Sequence, residues 1–368
     1  MATATMNHEP YMRRALELAS RGTGHVAPNP RVGCVIVHND HIIAEGWHAV
    51  FGGPHAEVAA LAGLDTVPAD ATMYVTLEPC AHQGKTPPCT NAIIASGIRN
   101  VVVGMSDPNP MVSGRGIAAL REAGISVVTD VLAHECLWLN RGFAHWMTHR
   151  RPWVMAKIGQ SLDGCMATWN GASKWITSQA SRHVVHALRG EVDAVLTGVG
   201  TVLADDPLFT VRHVDGRSPM RIVLDTQLRT PIDGALVAST AVSPVVILCA
   251  ADVNDSDAAQ ALRDRGCSVI GIPSVNGRLS IADALDVCAT QFSVTMLLVE
   301  AGPTVLTSLL ANNAIHELRL HTAPILLGDG LRWNMLRPDH PSTASTWVVH
   351  SLDYVDGDVH TTLLPVMP

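Results

Sequence analysis

The sequence predicts an α/β protein built from two domains. Along its 368 residues, short β-rich runs alternate with helical patterns in two successive series, and such alternation is typical of layered α/β folds. The length also exceeds what one hydrophobic core usually serves. Between the two series, residues 145–153 (HWMTHRRPW) interrupt the alternation with basic residues and a proline. We therefore expect one domain over residues 1–147 and a second over residues 148–368.

Individual elements can be predicted from the periodicity within each series. The first series indicates an amphipathic helix over residues 10–20, then strands over residues 31–37, 73–79, 100–105 and 125–131 with helical segments between them. The second series begins with a strand at residues 153–159, and its apolar runs predict a largely parallel sheet with helices near residues 178–189, 256–265, 280–290 and 303–313. From residue 317 onward, the pattern favours antiparallel strands that close the edge of the sheet.

Composition and charge exclude several functional classes. Hydrophobic residues make up 47% and charged residues 16% of the chain, which is typical of a soluble globular enzyme. The formal net charge of −8 argues against a surface for nucleic acid, although a local cationic pocket could still hold one phosphate. No apolar run reaches the roughly 18 residues of a membrane span, and Arg13, Arg14 and Glu17 stand where a signal peptide would be apolar. We expect a cytoplasmic protein that binds neither nucleic acid nor membranes.

The strongest chemical signal is a set of metal-ligand residues in the first series. His55 is followed two residues later by Glu57, and Cys80 and Cys89 each follow a proline. One imidazole and two thiolates give a catalytic zinc three protein ligands and leave its fourth position for water. At the start of a helix, Glu57 can take a proton from that water and return it to the substrate. The alternatives are a structural zinc, which normally has four protein ligands, and two unrelated buried cysteines; the sequence offers no obvious fourth ligand.

The second series carries a weaker signal for a phosphate-binding site. The G-x-G-x-x-G fingerprint of a conventional dinucleotide fold is missing, because no third glycine follows Gly198 and Gly200. Instead, residues 300–304 follow an apolar run and precede a predicted helix, where free backbone amides can hold an anion. An ordinary strand-to-helix turn explains the same residues equally well, with Gly302 in the bend and Pro303 at the helix start. The local pattern leaves both interpretations open.

Longer motifs resemble one enzyme family over the whole chain. In the first series they are residues 27–37 (APNPRVGCVIV), 53–61 (GPHAEVAAL), 76–89 (TLEPCAHQGKTPPC) and 106–110 (SDPNP); in the second they are residues 157–164 (KIGQSLDG), 173–178 (SKWITS), 198–212 (GVGTVLADDPLFTVR), 221–225 (RIVLD) and 299–304 (VEAGPT). Together they resemble the bifunctional deaminase-reductases of riboflavin biosynthesis. Cytidine and tRNA adenosine deaminases usually carry Pro-Cys-x2-Cys, whereas eight residues separate Cys80 from Cys89 here. Cys165 and Ala81 depart from the family, which commonly has a basic residue and a serine at these positions.

The resemblance implies a fold and a reaction for each half. It implies a cytidine-deaminase-like three-layer domain followed by a dihydrofolate-reductase-like domain. The first would use Zn2+ to remove the C2 amino group of a small-molecule pyrimidine nucleotide, 2,5-diamino-6-ribosylamino-4(3H)-pyrimidinone 5′-phosphate, by hydrolysis. The second would use NADPH to reduce the ribosyl group of the product, which gives 5-amino-6-(ribitylamino)uracil 5′-phosphate.

The resemblance also assigns binding residues to both sites. Contacts with the deaminase substrate are expected from Asn29, His48, Lys85 and Asn109. Contacts with NADPH are expected from Gly159, Trp175, Thr201, Asp205, Thr226, Gly302, Pro303, Thr304, Val305, Leu306, Thr307 and Ser308. Contacts with the reductase substrate are expected from Ser173, Arg189, Phe209, Arg212 and Glu300. Lys157 and Asp205 are the ionisable groups that could deliver a proton during reduction, although a structural salt bridge would explain Lys157 as well.

Two other functions fit parts of the sequence. A tRNA or nucleoside deaminase with an accessory domain would share the zinc motif, but it predicts a basic groove and the shorter cysteine spacing. A nucleotide-sensing module with a structural zinc would not need Glu57 beside the metal. Apolar edge strands in the second half favour a homo-oligomer, either a dimer or a tetramer.

Overall fold

The structure is a computed structural model that describes residues 7–82, 87–110 and 112–366. The chain forms two compact units, one over residues 1–150 and one over residues 151–368. The boundary predicted from the sequence, at residues 147 and 148, falls in the last turn of the helix that ends the first unit. Within the described ranges, no helix combines the length and the apolar character needed to span a bilayer.

The first unit alternates strands and helices. Its described elements are α1 (Glu9–Ser20), β1 (Gly33–His38), β2 (His41–Trp47), α2 (Ala56–Leu61), β3 (Thr72–Leu77), α3 (Cys89–Ser96), β4 (Asn100–Met105), α4 (Arg115–Glu122), β5 (Ser126–Val128), α5 (Ala133–Leu139) and α6 (Arg141–His149). The described strands form one sheet in the order β2-β1-β3-β4-β5. β2 and β3 run antiparallel to β1, whereas β3, β4 and β5 are parallel to one another.

Helices pack on both faces of this sheet. A Cβ atom at Gly33 in β1 would lie 1.9 Å from the Ala15 carbonyl oxygen of α1, and one at Gly46 in β2 would lie 2.4 Å from the Ala56 carbonyl oxygen of α2. Gly46 pairs with Cys34, the neighbour of Gly33, so the two glycines point to opposite faces of the pleated sheet. Only glycine permits these close approaches. The helix-sheet-helix arrangement confirms the expected three-layer fold.

Two loops meet at one edge of the first sheet because β3 and β4 are parallel. The strand β3 ends at Leu77 and leads directly into residues 78–80, which include the first predicted cysteine ligand. The strand β4 ends at Met105 and leads into residues 106–110. The carboxyl ends of parallel strands lie side by side, so the topology brings these loops together.

The second unit is larger and contains a mostly parallel sheet. Its described elements are β6 (Trp153–Ser161), β7 (Cys165–Ala167), α7 (Gln179–Glu191), β8 (Ala194–Gly198), α8 (Val199–Asp205), β9 (Met220–Leu224), α9 (Ala235–Ala238), β10 (Val245–Ala250), α10 (Asp257–Asp264), β11 (Ser268–Ile272), β12 (Ser274–Val275), β13 (Arg278–Leu279), α11 (Ile281–Phe292), β14 (Met296–Val299), α12 (Pro303–Ala311), β15 (Glu317–Ala323), β16 (Leu331–Arg332), β17 (Trp347–Val355) and β18 (Asp358–Pro365). The main sheet has the order β11-β10-β9-β8-β14-β6-β15-β18-β17.

Strand direction in the main sheet follows the sequence prediction except at β15. All neighbouring pairs from β11 to β15 are parallel, and their strands are apolar because helices cover them. β18 and β17 then add in antiparallel register at the edge. This confirms a parallel sheet closed by antiparallel strands, but the prediction was wrong for the strand that begins at residue 317. That strand, β15, is parallel to β6, because the helix α12 before it carries the chain back to the start of the sheet.

The prediction omits three elements of the first unit: β2, α5 and α6. β2 is an edge strand whose first residues are exposed, so it lacks the continuous apolar run of its neighbours. α6 occupies part of the segment that the sequence analysis treats as a break. Its basic end is exposed at the helix C-terminus, where the helix dipole favours cations. Basic residues there are compatible with a helix, and the chain leaves the helix only at Arg150.

Candidate active sites

The three predicted zinc ligands converge at the edge of the first sheet. His55 precedes α2, Cys80 lies in the loop after β3, and Cys89 is the first residue of α3. The Nδ1 atom of His55 lies 3.1 Å from the Sγ atom of Cys89 and 3.6 Å from the Sγ atom of Cys80. All three ligand atoms lie within 4.8 Å of one another. A tetrahedral zinc separates imidazole and thiolate ligand atoms by roughly 3.6–3.8 Å, so this donor set fits zinc.

Glu57 lies beside this cluster in the first turn of α2. Its side chain is 3% exposed, and its carboxyl group interacts with the thiol of Cys89. Burial raises the pKa of the Glu57 carboxyl. Among the described residues, the metal-binding group contains no fourth His, Cys, Asp or Glu. Three ligands with a buried acid beside them are the arrangement of a catalytic zinc, whereas a structural zinc is enclosed by four protein ligands.

Hydrogen bonds favour a thiolate at Cys80. The Cys89 backbone amide donates a hydrogen bond to the Sγ atom of Cys80 at 3.3 Å. Hydrogen bonds with Cys89 and His55 lower the pKa of the Cys80 thiol to about 4. The pKa of Cys89 is raised instead, because its thiol hydrogen bonds to Cys80 and is buried. Metal binding replaces such a shared thiol proton, since zinc takes thiolate ligands.

His48 and Asn29 form a hydrogen-bonded pair next to the ligand histidine. The His48 ring is 3% exposed and lies edge-on to the His55 ring, with 5.5 Å between their centroids. Its Nδ1 atom lies 2.9 Å from the Pro54 carbonyl oxygen, and its Nε2 atom lies 3.2 Å from the amide nitrogen of Asn29. A carbonyl oxygen only accepts, so Nδ1 donates and Nε2 accepts from Asn29. Burial lowers the pKa of His48, which keeps this ring neutral and the Asn29 amide oriented.

The loop after β4 reaches the same site. The Asp107 backbone amide donates a hydrogen bond at 3.0 Å to Glu78, which lies two residues before the ligand Cys80, and burial raises the pKa of Asp107. The Oδ1 atom of Asp107 accepts a hydrogen bond from the Asn109 backbone amide at 2.8 Å. Asn109 therefore lies in a loop that borders the metal ligands. The fourth predicted substrate contact, Lys85, falls outside the described residues.

Glu78 is a buried residue of this site that the sequence analysis does not single out. Glu78 immediately precedes the Pro79-Cys80 pair, and its side chain is only 5% exposed. Its carboxylate accepts hydrogen bonds from four backbone amides, those of Asp107, Gly114, Gly116 and Ile117. The sequence does not reveal this role of Glu78, because the four amides that it binds lie 29 to 39 positions further along the chain.

The second unit holds a cavity of about 1390 Å³ along the carboxyl ends of its parallel strands. Its walls come from β6, from the ends of β8, β9 and β14, and from the helices α7, α8 and α12, with one residue each from α9 and α11. Open α/β sheets bind ligands at this edge. The predicted site residues that line it outside α12 are Lys157, Gly159, Ser173, Trp175, Arg189, Thr201, Asp205, Phe209, Arg212, Thr226 and Glu300.

A bidentate ion pair joins α7 to the end of β14 inside this cavity. Arg189 donates from Nε to Oε1 of Glu300 at 2.6 Å and from its terminal nitrogen to Oε2 at 2.9 Å. The two side chains are only 11% and 13% exposed. Burial would raise the pKa of Glu300, but the charge of Arg189 and its hydrogen bonds bring that pKa below the ordinary value. The Arg189 guanidinium also lies 5.4 Å from the ring centroid of Phe209, so three predicted substrate contacts form one preorganised group.

Lys157 places an ammonium group in the same cavity. A Cβ atom at Gly159 would lie 3.2 Å from the Lys157 Nζ atom, so the absence of a side chain there makes room for it. Within the described part of the chain, no hydrogen bond or ion pair holds this ammonium group. Burial lowers the pKa of Lys157, whereas the nearby charges of Glu300 and Asp358 oppose this shift. The structural salt bridge that could have explained Lys157 is therefore absent among these residues.

One face of α12 contributes to the cavity. The residues of the predicted run that line it are Gly302, Pro303, Thr304, Val305 and Ser308. Leu306 is instead fully buried in the hydrophobic core, and the Thr307 hydroxyl accepts a hydrogen bond from the Met335 backbone amide at 2.9 Å. A helix presents neighbouring residues in different directions. The continuous run from Gly302 to Ser308 therefore divides between the cavity and the interior.

His186 also lines the cavity, although the sequence analysis gives it no role among the 18 histidines. Its Nδ1 atom lies 3.1 Å from the Arg212 backbone nitrogen and 3.2 Å from the Thr210 carbonyl oxygen. Burial and the charges of Arg189 and Arg212 lower the pKa of His186 to about 4. The His186 ring therefore contacts the backbone on both sides of Val211. No local sequence pattern signals this contact.

Three further positions named in the sequence analysis are Asp205, Cys165 and Ala81. Asp205 ends α8 and lies 4.0 Å from the Lys174 ammonium in a partly exposed ion pair. Cys165 is fully buried and its thiol contacts the Gly328 carbonyl oxygen at 3.6 Å. A basic side chain at that position would need a partner for a buried charge. Ala81 is exposed and can be varied without loss of packing.

Comparison with protein-family models assigns each unit. Residues 152–351 match the RibD C-terminal domain. Residues 5–105 match the cytidine and deoxycytidylate deaminase zinc-binding region, which contains all three predicted ligands and Glu57. The zinc motif and the cavity therefore fall in two different matched domains.

Several relatives match along most of this chain and most of their own length. The riboflavin biosynthesis protein RibD of Actinobacillus pleuropneumoniae is 42% identical, over 88% of this chain and 85% of its own length. The structure of Acinetobacter baumannii RibD superposes with a TM-score of 0.87 at 35% identity, covering 98% of this chain and 99% of that one. A Thermotoga maritima structure described as a diaminohydroxyphosphoribosylaminopyrimidine deaminase/5-amino-6-(5-phosphoribosylamino)uracil reductase gives a TM-score of 0.85 at 35% identity, with 98% and 99% coverage.

These matches cover nearly the whole chain and follow the same division into two units. They join a zinc-binding deaminase region to a RibD reductase domain in one polypeptide. The chain accordingly belongs to the RibD family of riboflavin biosynthesis, bifunctional enzymes that combine a zinc-dependent deaminase with an NADPH-dependent reductase.

Proposed function

We propose that residues 1–147 hydrolyse the C2 amino group of 2,5-diamino-6-ribosylamino-4(3H)-pyrimidinone 5′-phosphate. Residues 148–368 then reduce the ribosyl group of the product with NADPH, which yields 5-amino-6-(ribitylamino)uracil 5′-phosphate. The observation that carries this proposal is the convergence of His55, Cys80 and Cys89 beside the buried acid Glu57. The activities named for the Thermotoga maritima relative support both reactions.

In the deaminase, Glu57 moves the protons. His55, Cys80 and Cys89 would hold the zinc ion, which would lower the pKa of a water molecule enough for it to attack at neutral pH. Glu57 takes one proton from the attacking water and passes it to the ring nitrogen; it then takes the proton of the newly formed C2 hydroxyl and passes it to the amine, which leaves as ammonia. Its burial supports this role, because bulk water then competes little for the proton.

Recognition of the deaminase substrate comes from several loops. The neutral His48 ring holds the Asn29 amide in one orientation, so Asn29 can offer fixed hydrogen-bonding groups to a pyrimidine edge. Asn109 approaches from the loop after β4. We assign the 5′-phosphate to Lys85, which lies between the two ligand cysteines in the sequence and offers a cation for a phosphate.

In the reductase, the cofactor supplies the hydride and the protein supplies orientation and a proton. The start of α12 offers free backbone amides for the cofactor phosphates. The remaining cofactor contacts that line the cavity are Gly159, Trp175, Thr201, Asp205 and Thr226.

At the substrate end of the reductase cavity, the charges of Arg189 and Glu300 are held in a mutual ion pair, whereas those of Arg212 and Lys157 are available to the substrate. Arg189 fixes the carboxylate of Glu300, which can then accept hydrogen bonds from the ribosyl hydroxyls. Arg212 is exposed at the cavity wall and suits the substrate phosphate, while Ser173 and Phe209 complete the wall. Lys157 is the proton donor for the group being reduced, because its ammonium lines the cavity with no described protein partner.

The assembly and location of the enzyme are part of the same proposal. The outermost strand of the main sheet, β17, exposes Val348, Val349 and Leu352, and such an apolar edge favours association into a dimer or tetramer. All eight cysteines are free, which supports a reducing compartment, the cytoplasm. Size-exclusion chromatography with light scattering tests the assembly, and a monomer at micromolar concentration would contradict it.

One experiment tests both activities. Purified protein with one zinc per chain is incubated with the diaminopyrimidinone phosphate, with and without NADPH, while ammonia and the nicotinamide absorbance are followed. Ammonia is expected without NADPH, and oxidation of NADPH is expected only once deaminated product is present. Zinc-loaded protein that releases no ammonia from this substrate would overturn the deaminase assignment.

A further inference from the structure

The carboxylate of Glu78 connects the zinc-ligand loop to the loop that carries Asn109. Its Oε2 atom accepts the Asp107 amide at 3.0 Å and the Gly114 amide at 3.0 Å. Its Oε1 atom accepts the Gly116 amide at 2.8 Å and the Ile117 amide at 3.2 Å. Each oxygen therefore receives two backbone donors. A buried carboxylate satisfied in this way is held in one position.

These bonds replace the missing cap of α4. Gly114 precedes α4 and provides no side-chain cap, so the first amides of the helix need another acceptor. Glu78 supplies it from a different part of the chain, and its charge is also favoured by the helix dipole at this end. The Glu78 carboxylate thus binds both the start of α4 and the residues that follow β4.

Close packing restricts movement of α4 relative to the residues that lead into the zinc ligand Cys80. A Cβ atom at Gly116 would lie 1.9 Å from the Pro79 carbonyl oxygen and 3.2 Å from the Cγ atom of Glu78. Pro79 is covalently joined to the ligand Cys80, whose own carbonyl oxygen accepts the Thr90 amide of α3 at 3.2 Å. A movement of α4 would therefore displace the backbone of Pro79, directly next to the zinc ligand Cys80.

We infer that Glu78 is a positioning residue of the deaminase: by holding residues 106–110 against the zinc-ligand loop, it sets the place of Asn109 relative to the metal. Glu78 itself has no contact with the reacting atoms in this scheme. It acts through the backbone amides of Asp107 and α4. The inference rests on the proposed function, in which Asn109 contacts the pyrimidine nucleotide.

The test replaces Glu78 by glutamine, which keeps the size but turns an amide group toward backbone donors. Deaminase KM for the diaminopyrimidinone phosphate should rise at least tenfold in Glu78→Gln, with kcat changed less than threefold. Zinc content should stay at one per chain, and reduction of separately supplied deaminated substrate should be unchanged. Glu122→Gln, at the exposed end of the same helix, is the matched control and should behave as the parent enzyme.

A double-variant cycle decides whether Glu78 acts through Asn109. If it does, Asn109→Ala alone raises KM, and adding Glu78→Gln changes KM less than twofold further, because coupled residues are not additive. Amide hydrogen exchange at Asp107, Gly114, Gly116 and Ile117 should also accelerate in Glu78→Gln. An unchanged KM in Glu78→Gln, multiplicative effects in the double variant, or zinc lost in proportion to activity would each overturn the inference. A parent enzyme without deaminase activity would instead overturn the proposed function.

Discussion

The two sites of this chain are built in opposite ways. The deaminase site concentrates three metal ligands within 4.8 Å of one another and places one buried acid beside them. The reductase cavity, of about 1390 Å³, is lined by residues from many separate strands and helices. A compact site depends on a few irreplaceable atoms, whereas an extended site distributes binding over many groups. Single substitutions should therefore have large, specific effects in the first site and graded effects in the second.

The largest effect is expected from Glu57→Gln. The variant keeps the three zinc ligands but removes the group that carries protons in both directions, so deaminase kcat should fall roughly 10³–10⁴-fold. Zinc content and reductase activity, measured on the same preparation, should be unchanged. Retention of more than a tenth of the parent kcat would show that Glu57 is not the proton carrier.

The second-largest effect is expected from breaking the buried ion pair between Arg189 and Glu300 in the reductase. In Arg189→Met the Glu300 carboxylate loses its bidentate partner in a site where both side chains are almost fully buried. Breaking such a pair costs about 3–5 kcal/mol, and denaturant unfolding of the second unit should show it together with a loss of reductase activity. The exposed pair of Arg265 and Asp233 is the control, and Arg265→Met should cost roughly 0–1 kcal/mol. Equal costs for the two variants would show that burial is not what makes the first pair important.

Lys157 should determine how reduction depends on pH. Its pKa is lowered by burial, so the ammonium group loses its proton at a lower pH than an ordinary lysine. The rate should be highest below that pKa and should fall as pH rises through it, because the proton donor disappears. In Lys157→Met the rate should drop roughly 10²-fold, and the alkaline decline should vanish. The comparison requires kcat against pH with saturating cofactor, and an unaltered profile in the variant would exclude Lys157 as donor.

The smallest effects should separate the two faces of α12. Thr307 turns away from the cavity and accepts the Met335 amide, so Thr307→Ala should lower the free energy of unfolding by about 1 kcal/mol and leave KM for NADPH unchanged. Ser308 lines the cavity, so Ser308→Ala should raise KM for NADPH a few-fold with little change in stability. Cofactor titration and thermal unfolding of both variants measure these effects. A raised KM in Thr307→Ala together with an unchanged KM in Ser308→Ala would show that the opposite face of α12 binds the cofactor.

The sequence predicts the deaminase site more completely than the reductase site, for a physical reason. Zinc ligands and their acid follow simple rules of residue type and order, so His55, Glu57, Cys80 and Cys89 can be identified before any fold is known. The reductase contacts come instead from resemblance, and a continuous run such as residues 302–308 cannot reveal which side chains face a cavity. Leu306 is in the core for that reason.

Supporting residues escaped the sequence analysis in both halves. Glu78 binds amides that are 29 to 39 positions away in the chain, and His186 binds an amide 26 positions away. No local pattern marks such pairs, because they depend on the packing of separate elements. The edge strand β2 was missed for a related reason, since its exposure weakens the apolar signal that identifies strands.

By itself the sequence determined the two-domain α/β organisation, the succession of strands and helices, and the chemical identity of the metal ligands, because these depend on periodicity and residue type along the chain. Only the tertiary structure decided which groups share a site. Parallel β3 and β4 bring the Cys80 and Asn109 loops to one edge, and the end of β14 meets α7 so that Glu300 and Arg189 can pair. Such contacts arise from the folding of distant segments onto one another, which local sequence does not encode in a readable pattern.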